Sequence, residues 1–279
     1  MQIVHTLLDA LPYIKKFRDD IIVIKYGGSA QTSKELKSKF AQDIALLQTV
    51  GMKPVVVHGG GKNITSLLND LNIDTQFIDG QRVTTEAVMR IAEMVLSGEV
   101  NKDIVSLLNL QGAKAIGISG KDANFITAVP KDSKKFGYTG SIKDINPEIV
   151  INMLNDGFIP VIAPIASGGK LGHPGFNINA DLVASRVAVA LKARKVLFLT
   201  DTPGVLNKDK NLINTLTIKQ TEELKKDGTI VGGMVPKVDA CIEALRGGVK
   251  KAHIIDGRLE HSLLLEILTS SGVGTCIGL

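Results

Sequence analysis

The sequence predicts an α/β protein, a three-layer α/β/α sandwich with an open, mainly parallel central sheet. Short continuous runs rich in Val and Ile alternate with amphipathic stretches almost from end to end. Runs of this kind suit parallel strands covered by helices on both faces. The 279 residues are 44% hydrophobic but only 4% aromatic, with no Trp, so aliphatic side chains must fill the core. Gly and Pro fall at the junctions between runs, where strand-to-helix turns require them.

Residues 1–20 read as a separate N-terminal helix. Ile3, Leu7, Leu11 and Ile14 share one face, Phe17 lies nearby, and Pro12 predicts a kink. Strands are predicted at 21–26, 54–58, 113–119, 159–164, 195–200 and 252–256. Helical patterns occupy 33–50, 85–96, 181–191 and 238–246. Pro147 opens a further helix that Gly157 stops. Thr217 with Gln220 reads as a capping box for a helix over 218–226, followed by Gly228. Residues 131–143 are polar and weakly patterned, which suggests a hairpin or lid at the sheet edge. Residues 203–211 form a loop, and nothing in the composition splits 21–279 into more than one domain.

Composition narrows the function classes. The formal net charge is +5, but the lysine doublets at 15–16, 134–135, 225–226 and 250–251 are dispersed. No aromatic platforms lie between them, so no nucleic-acid stripe is expected. A mild positive field instead favours anionic metabolites. Cys241 and Cys276 fit neither a disulfide framework nor a zinc site. The N-terminus lacks a signal-peptide layout and no apolar run approaches ~20 residues, so a soluble cytoplasmic protein is expected, without a membrane partner.

Ligands of open α/β sheets sit at the carboxyl ends of strands. Lys25-Tyr26-Gly27-Gly28-Ser29 follows the first strand, and His58-Gly59-Gly60-Gly61-Lys62 follows the second. Two such turns can present bare N–H groups at helix N-termini, where anions bind. The competing reading is that glycine merely permits tight turns. Neither turn is a Walker A loop or a clean GxGxxG, so a dinucleotide-dependent dehydrogenase is poorly supported. Asp181, near a helix start, has capping as its simplest role. Lys237 at a helix start opposes the dipole, which suggests that an external anion offsets it. Arg82, beside Gly80, reads as an exposed salt bridge or as a carboxylate binder. His58 reads as a shaper of the glycine turn rather than as a base.

Lys-Tyr-Gly-Gly, Val-His-Gly-Gly-Gly, Asp-Gly-Gln-Arg-Val-Thr, Asn-Ile-Asn-Ala-Asp, Leu-Thr-Asp-x-x-Gly-Val-Leu and Gly-Gly-Met-Val-Pro-Lys occur in this order. The set resembles the amino acid kinase superfamily, and within it the acetylglutamate kinases, over nearly all of 21–279. The resemblance implies ATP-dependent phosphorylation of the γ-carboxylate of N-acetyl-L-glutamate, in arginine biosynthesis. Its implied catalytic residues are Lys25 and Lys237, which contact the transferring phosphoryl group, and Asp181, which positions them. Gly60, Gly61, Arg82 and Asn177 are implied for the acyl substrate, whose binding the resemblance assigns mainly to the N-terminal half. Gly28, Thr200, Asp201 and Gly233 are implied for ATP, whose binding the resemblance assigns mainly to the C-terminal half. Mg²⁺ is expected on the nucleotide phosphates, with no protein metal site.

The acceptor in such a reaction is already ionised at neutral pH, because a carboxylate pKa lies near ~4.3, so no general base is required. The obstacle is charge repulsion, which two lysines and glycine amides oppose. The N-terminal helix and the stretch His261-Ser262-Leu263-Leu264-Leu265-Glu266 resemble the arginine-inhibited, hexameric branch, a trimer of dimers. Arginine would then lie between them, with Glu266 and Tyr13 beside it. Residues 167–176 depart from the short acidic turn usual before Asn177. Carbamate, glutamate and nucleoside-monophosphate kinases share the lysines and glycines, and a non-catalytic arginine-binding regulator is the alternative from another class.

Overall fold

The computed structural model describes residues 2–28, 31 and 33–278, the first six of these by their backbone alone. Ser29 of the first glycine motif and the side chains of Ile3 and Leu7 therefore lie outside the described residues. The chain runs α1 (Gln2–Phe17), β1 (Ile21–Tyr26), α2 (Lys34–Thr49), β2 (Lys53–His58), α3 (Gly61–Asp70), β3 (Phe77–Ile78), β4 (Gln81–Arg82) and α4 (Glu86–Glu93). A π-helical turn, Met94–Val100, leads into α5 (Asn101–Leu110), then β5 (Ala115–Ser119), β6 (Ile126–Pro130), α6 (Ser133–Phe136), β7 (Gly140–Ile145) and α7 (Glu148–Asn155). Next come β8 (Ile159–Ala163), β9 (Ile165–Ala166), β10 (Phe176–Asn177), α8 (Ala180–Ala190) and β11 (Lys195–Thr200). The chain ends with β12 (Thr215–Thr217), α9 (Ile218–Lys226), α10 (Met234–Arg246), β13 (Lys251–Asp256), α11 (Ser262–Leu268) and β14 (Thr275–Gly278).

Eight strands form the central sheet in the order β12-β14-β13-β11-β1-β2-β8-β5. All pairs are parallel except β13 with β14, so the sheet is mainly parallel, as the sequence predicts. The alternation of strand side chains divides the interior in two. Val23, Val55, Val57, Val196 and Ile254 pack under α7, α8 and α10. Ile22, Ile24, Val56, Leu197 and Ile255 pack under α2, α4, α5 and α11. Successive strand residues point to opposite faces, which makes one sheet the middle of three layers.

The predicted strands are all present within two residues of the expected ends. The capping box at Thr217 and Gln220 is formed. Residues 131–143 fall in the β6–β7 hairpin, which carries α6 at its tip. Residues 167–175 are the loop of the β9–β10 hairpin, in which the His173 ring lies against Phe176, centroids 4.7 Å apart.

Two expectations change. The helix read over 85–96 does not end there; the π turn carries it through Gly98 into α5. The first glycine turn does not sit at a helix N-terminus, because α2 starts only at Lys34 and the Ser33 hydroxyl caps it by accepting from the Leu36 N–H.

Candidate active site

The chain leaves β1 in the middle of the sheet, with β2 on one side and β11 on the other. Later strands extend outward in both directions, so the carboxyl end of β1 lies at a topological switch point. Lys25 lies there and is buried, with 8% of its surface exposed. Gly27 follows on the turn. A Cβ at Gly27 would meet the Leu199 carbonyl oxygen at 2.6 Å and Lys25 Nζ at 3.1 Å. Gly28 meets nothing within 4 Å. The steric requirement therefore falls on Gly27, which clears the space that Lys25 occupies.

Asp181 lies in the first turn of α8. The expected capping role belongs instead to Asn179, whose side-chain oxygen accepts from the Asp181 and Leu182 N–H groups at 2.8 and 3.2 Å. The Asp181 carboxylate is left free to meet two lysines. Lys25 Nζ lies 2.9 Å from Oδ1 as an ion pair outside hydrogen-bonding direction, and Lys237 Nζ donates to Oδ2 at 3.1 Å. Burial alone would raise the Asp181 pKa, but the two ammonium charges outweigh it and hold the carboxyl below its usual range. Two cations on one carboxylate leave one positive charge in excess, and an anion is its natural complement.

The N-termini of α3 and α10 add to this field. Gly60 and Gly233 occupy their N-cap positions, and neither helix has a side-chain cap. By contrast α2, α4, α8 and α9 are each capped by a Ser, Thr or Asn side chain. Uncapped N–H groups remain available to an anion. Lys237 falls in the first turn of α10, where Asp181 supplies part of the compensation that its opposition to the dipole requires.

His58 fixes the second glycine turn. Its Nδ1–H donates to the Gly59 carbonyl at 2.9 Å, and its Nε2 accepts from Asn101 Nδ2 at 3.1 Å. Complete burial pushes its pKa down from 6.5 to about 4, so the ring is neutral at pH 7. Gly60 is hemmed by the π turn, since a Cβ there would meet Leu96 Cδ2 at 2.6 Å and Val100 Cγ2 at 3.3 Å.

Gly60, Gly61, Arg82 and Asn177 line one cleft of about 200 Å³, together with Thr139 and Phe77. Arg82 is buried at 7% exposure and, among the described residues, pairs with no carboxylate, which removes the surface salt-bridge reading. Its Nη1 donates to the Thr75 hydroxyl at 3.0 Å, its Nη2 to Gly61 O at 3.0 Å and to the Thr65 hydroxyl at 2.8 Å. Its guanidinium lies over the Phe77 ring at 4.6 Å.

The residues expected for ATP are less united. The Thr200 hydroxyl donates to Asp201 at 3.2 Å, at the end of β11. Neither shares a hydrogen bond with the lysine–aspartate cluster among the described residues. The motifs read from the sequence contain Gly27 and Thr84 without giving either a role, and Asn101 and Thr139 carry no local signal.

Residues 20–256 match the model of the amino acid kinase family. The chain belongs to the amino acid kinase family. Within this family it is 74% identical to the acetylglutamate kinase of a Sulfurovum species, over 100% of this chain and 99% of that one. It is 72% identical to the acetylglutamate kinase of a Nitratiruptor species, over 99% and 97% of the two chains. Among solved structures it is similar to N-acetylglutamate synthase from Neisseria gonorrhoeae complexed with coenzyme A and N-acetyl-glutamate. That TM-score is 0.86 at 27% identity, covering 99% of this chain and 63% of the synthase. Carbamate kinase from Giardia lamblia bound to AMP-PNP shares the amino acid kinase fold, with a TM-score of 0.70 at 16% identity over 93% and 98% of the two chains.

Proposed function

We propose that the chain is an ATP-dependent kinase that phosphorylates the γ-carboxylate of N-acetyl-L-glutamate to N-acetylglutamyl 5-phosphate, in arginine biosynthesis. The observation that carries the chemistry is the pair of lysines on Asp181, with an excess positive charge at the carboxyl end of β1. Identity of 74% to an acetylglutamate kinase supports the choice of substrate. Lys25 and Lys237 stabilise the charge on the transferring phosphoryl group, and Asp181 orients both without acting as a base. The open amides at Gly60 and Gly61 face the acyl substrate. Arg82 takes its α-carboxylate by exchanging the Thr65 and Thr75 hydroxyls for carboxylate oxygens, and Asn177 takes the acetamide.

ATP lies over the C-terminal half, against Gly28, Thr200, Asp201 and Gly233. Among the described residues no group of three His, Cys, Asp or Glu is arranged to hold a metal. In this reading Mg²⁺ is carried mainly by the nucleotide phosphates, whose charge it offsets. No described helix is long and apolar enough to cross a membrane, and a cytoplasmic site of action fits the proposed pathway.

The decisive assay incubates the protein with ATP, Mg²⁺ and hydroxylamine, which traps an acyl phosphate as a hydroxamate. Hydroxamate that forms with N-acetylglutamate, but not with glutamate or carbamate, supports this function. The reverse order of preference contradicts it.

A second reading concerns regulation. A cavity of about 290 Å³ lies between α1 and α11, lined by Tyr13, Lys16, Lys195, His253 and Glu266. Glu266 does not stand free for a guanidinium. Its Oε1 accepts from His253 Nδ1 at 2.6 Å, and its Oε2 accepts from the Val273 and Gly274 N–H groups at 2.7 and 3.1 Å. His253 Nε2 is then a buried acceptor with no partner among the described residues. The cavity between these helices supports the proposal of arginine inhibition, and the apolar face of the helix of residues 1–20 that of hexamers. Removing the residues before Asp19 should abolish both, and a truncated enzyme that stays hexameric and inhibitable contradicts the reading.

A further inference from the structure

Three segments distant in sequence meet behind the substrate cleft. The Thr84 N–H donates to Phe136 O, the Tyr138 N–H to Thr84 O at 2.7 Å, and the Asn177 N–H to Tyr138 O at 3.0 Å. Gly137 makes the approach possible: its φ is 61°, and a Cβ there would collide with the Thr84 carbonyl oxygen. The side chains so gathered form a chain of hydroxyls. Thr139 Oγ1 donates to the Arg82 carbonyl at 2.6 Å, Thr84 and Thr139 Oγ1 atoms lie 2.9 Å apart, and Asn177 Nδ2 lies 3.4 Å from Thr84 Oγ1. Thr84 is fully buried and Thr139 is 7% exposed, so water does not compete for these atoms.

Proton accounting gives the chain a direction. A threonine hydroxyl has one hydrogen to donate. Thr139 spends its hydrogen on the Arg82 carbonyl, the shortest of these contacts. Thr84 then donates to Thr139 at 2.9 Å or to the same carbonyl at 3.4 Å, and in either case its one hydrogen is spent. With that hydrogen committed, Thr84 can only accept from Asn177, so the end of the Asn177 amide that faces it is the NH₂ group. We infer that Thr84 and Thr139 are positioning residues that lock the Asn177 amide with its Oδ1 turned to the cleft, as an acceptor for a substrate N–H.

The inference rests on the proposed function and deepens it. It assigns to Asn177 the N–H of the acylated amine, and neither a carboxylate nor the acetyl carbonyl. Nothing else among the described residues is hydrogen-bonded to Asn177 Oδ1, so a bound N–H completes the amide. The relay also ends on the backbone of Arg82, which ties the two ends of the substrate site to one network.

The test compares N-acetylglutamate with 2-acetoxyglutarate, in which an ester oxygen replaces the N–H, by kcat/KM. A locked acceptor left facing an oxygen lone pair should favour the amide by roughly 10- to 100-fold in the wild type. Thr84→Val and Thr139→Val release the amide to rotate and should shrink that ratio to within about 3-fold, mainly through KM. Thr84→Ser and Thr139→Ser keep the hydroxyls and should restore it. Where a valine variant is unstable, Thr84→Ala or Thr139→Ala makes the same comparison without added bulk. Hydroxyl-free variants that keep the wild-type ratio overturn the inference. Wild-type turnover of N-acetylglutamate is the control that separates the two claims. Its absence counts against the proposed function, whereas normal turnover with an unmoved ratio counts against the relay alone.

Discussion

Lys25, at the end of the central strand β1, and Lys237, in the first turn of α10, reach the same buried carboxylate, at 2.9 Å and 3.1 Å from the two oxygens of Asp181. Three elements supply the cluster: β1 carries Lys25, and α8 and α10, packed side by side on one face of the sheet, carry Asp181 and Lys237. Asp181 thus converts two flexible ammonium groups into a fixed pair. Fixed charges stabilise a transition state without the reorganisation that water requires.

Arg82→Lys should raise KM for N-acetylglutamate by at least roughly 10-fold while leaving KM for ATP within a few-fold. A lysine keeps the charge but not the planar fork, and it cannot reproduce three separate N–H contacts to Thr75, Gly61 and Thr65. Steady-state titration of each substrate at saturation of the other reads the difference. A selective loss of ATP binding would refute the assignment.

Glycines in the two turns should not tolerate change equally. Gly60→Ala places a methyl 2.6 Å from Leu96 Cδ2 and 3.3 Å from Val100 Cγ2, so buried side chains of the π turn must shift, with a fall in kcat/KM of roughly 10-fold. Gly28→Ala meets nothing within 4 Å and should leave Tm within about 2 °C of the wild type. Thermal unfolding and steady-state kinetics of the pair measure this, and an inert Gly60→Ala would show that the π turn does not constrain the site.

His58 provides a pH prediction. Its folded pKa of about 4 lies below its ordinary 6.5, so the stability tied to this group is full above 6.5 and is lost as pH falls through about 4. The difference of pKa corresponds to about 3 kcal/mol. Between pH 6.5 and 4 the wild type should lose Tm more steeply than His58→Gln, which has no titrating ring. The kcat profile should show no ionisation near 6.5, because the neutral imidazole only holds Gly59 and Asn101. Parallel slopes for the two proteins would contradict the assignment.

The legibility of the molecule followed physical lines. Strands buried on both faces announce themselves as continuous Val and Ile runs, and all six so read are present. The short edge strand β12 and the antiparallel β14 were missed, since three or four residues with little apolar content carry no such signal. Both candidate lysines stood out by position, Lys237 because a cation at a helix start is unfavourable alone. Asp181 did not, because a carboxylate there is sufficiently explained as a cap until Asn179 is seen to do the capping. The roles of Thr84, which closes a motif, and of Thr139 were illegible for a different reason: a hydroxyl acquires direction only from its neighbours, and those come from distant segments. The π turn was hidden too, as its one-residue shift leaves the apolar pattern almost unchanged.

The central claim is that two lysines fixed by one aspartate carry the phosphoryl group through transfer, and Lys237→Ala tests it most directly. Interactions that strengthen in the transition state lower kcat when removed, whereas uniform binding contacts raise KM. Steady-state kinetics with ATP and N-acetylglutamate should give a kcat lower by roughly 10²- to 10³-fold, with both KM values within a few-fold of the wild type. An unchanged kcat, with the loss confined to KM for ATP, would contradict the account.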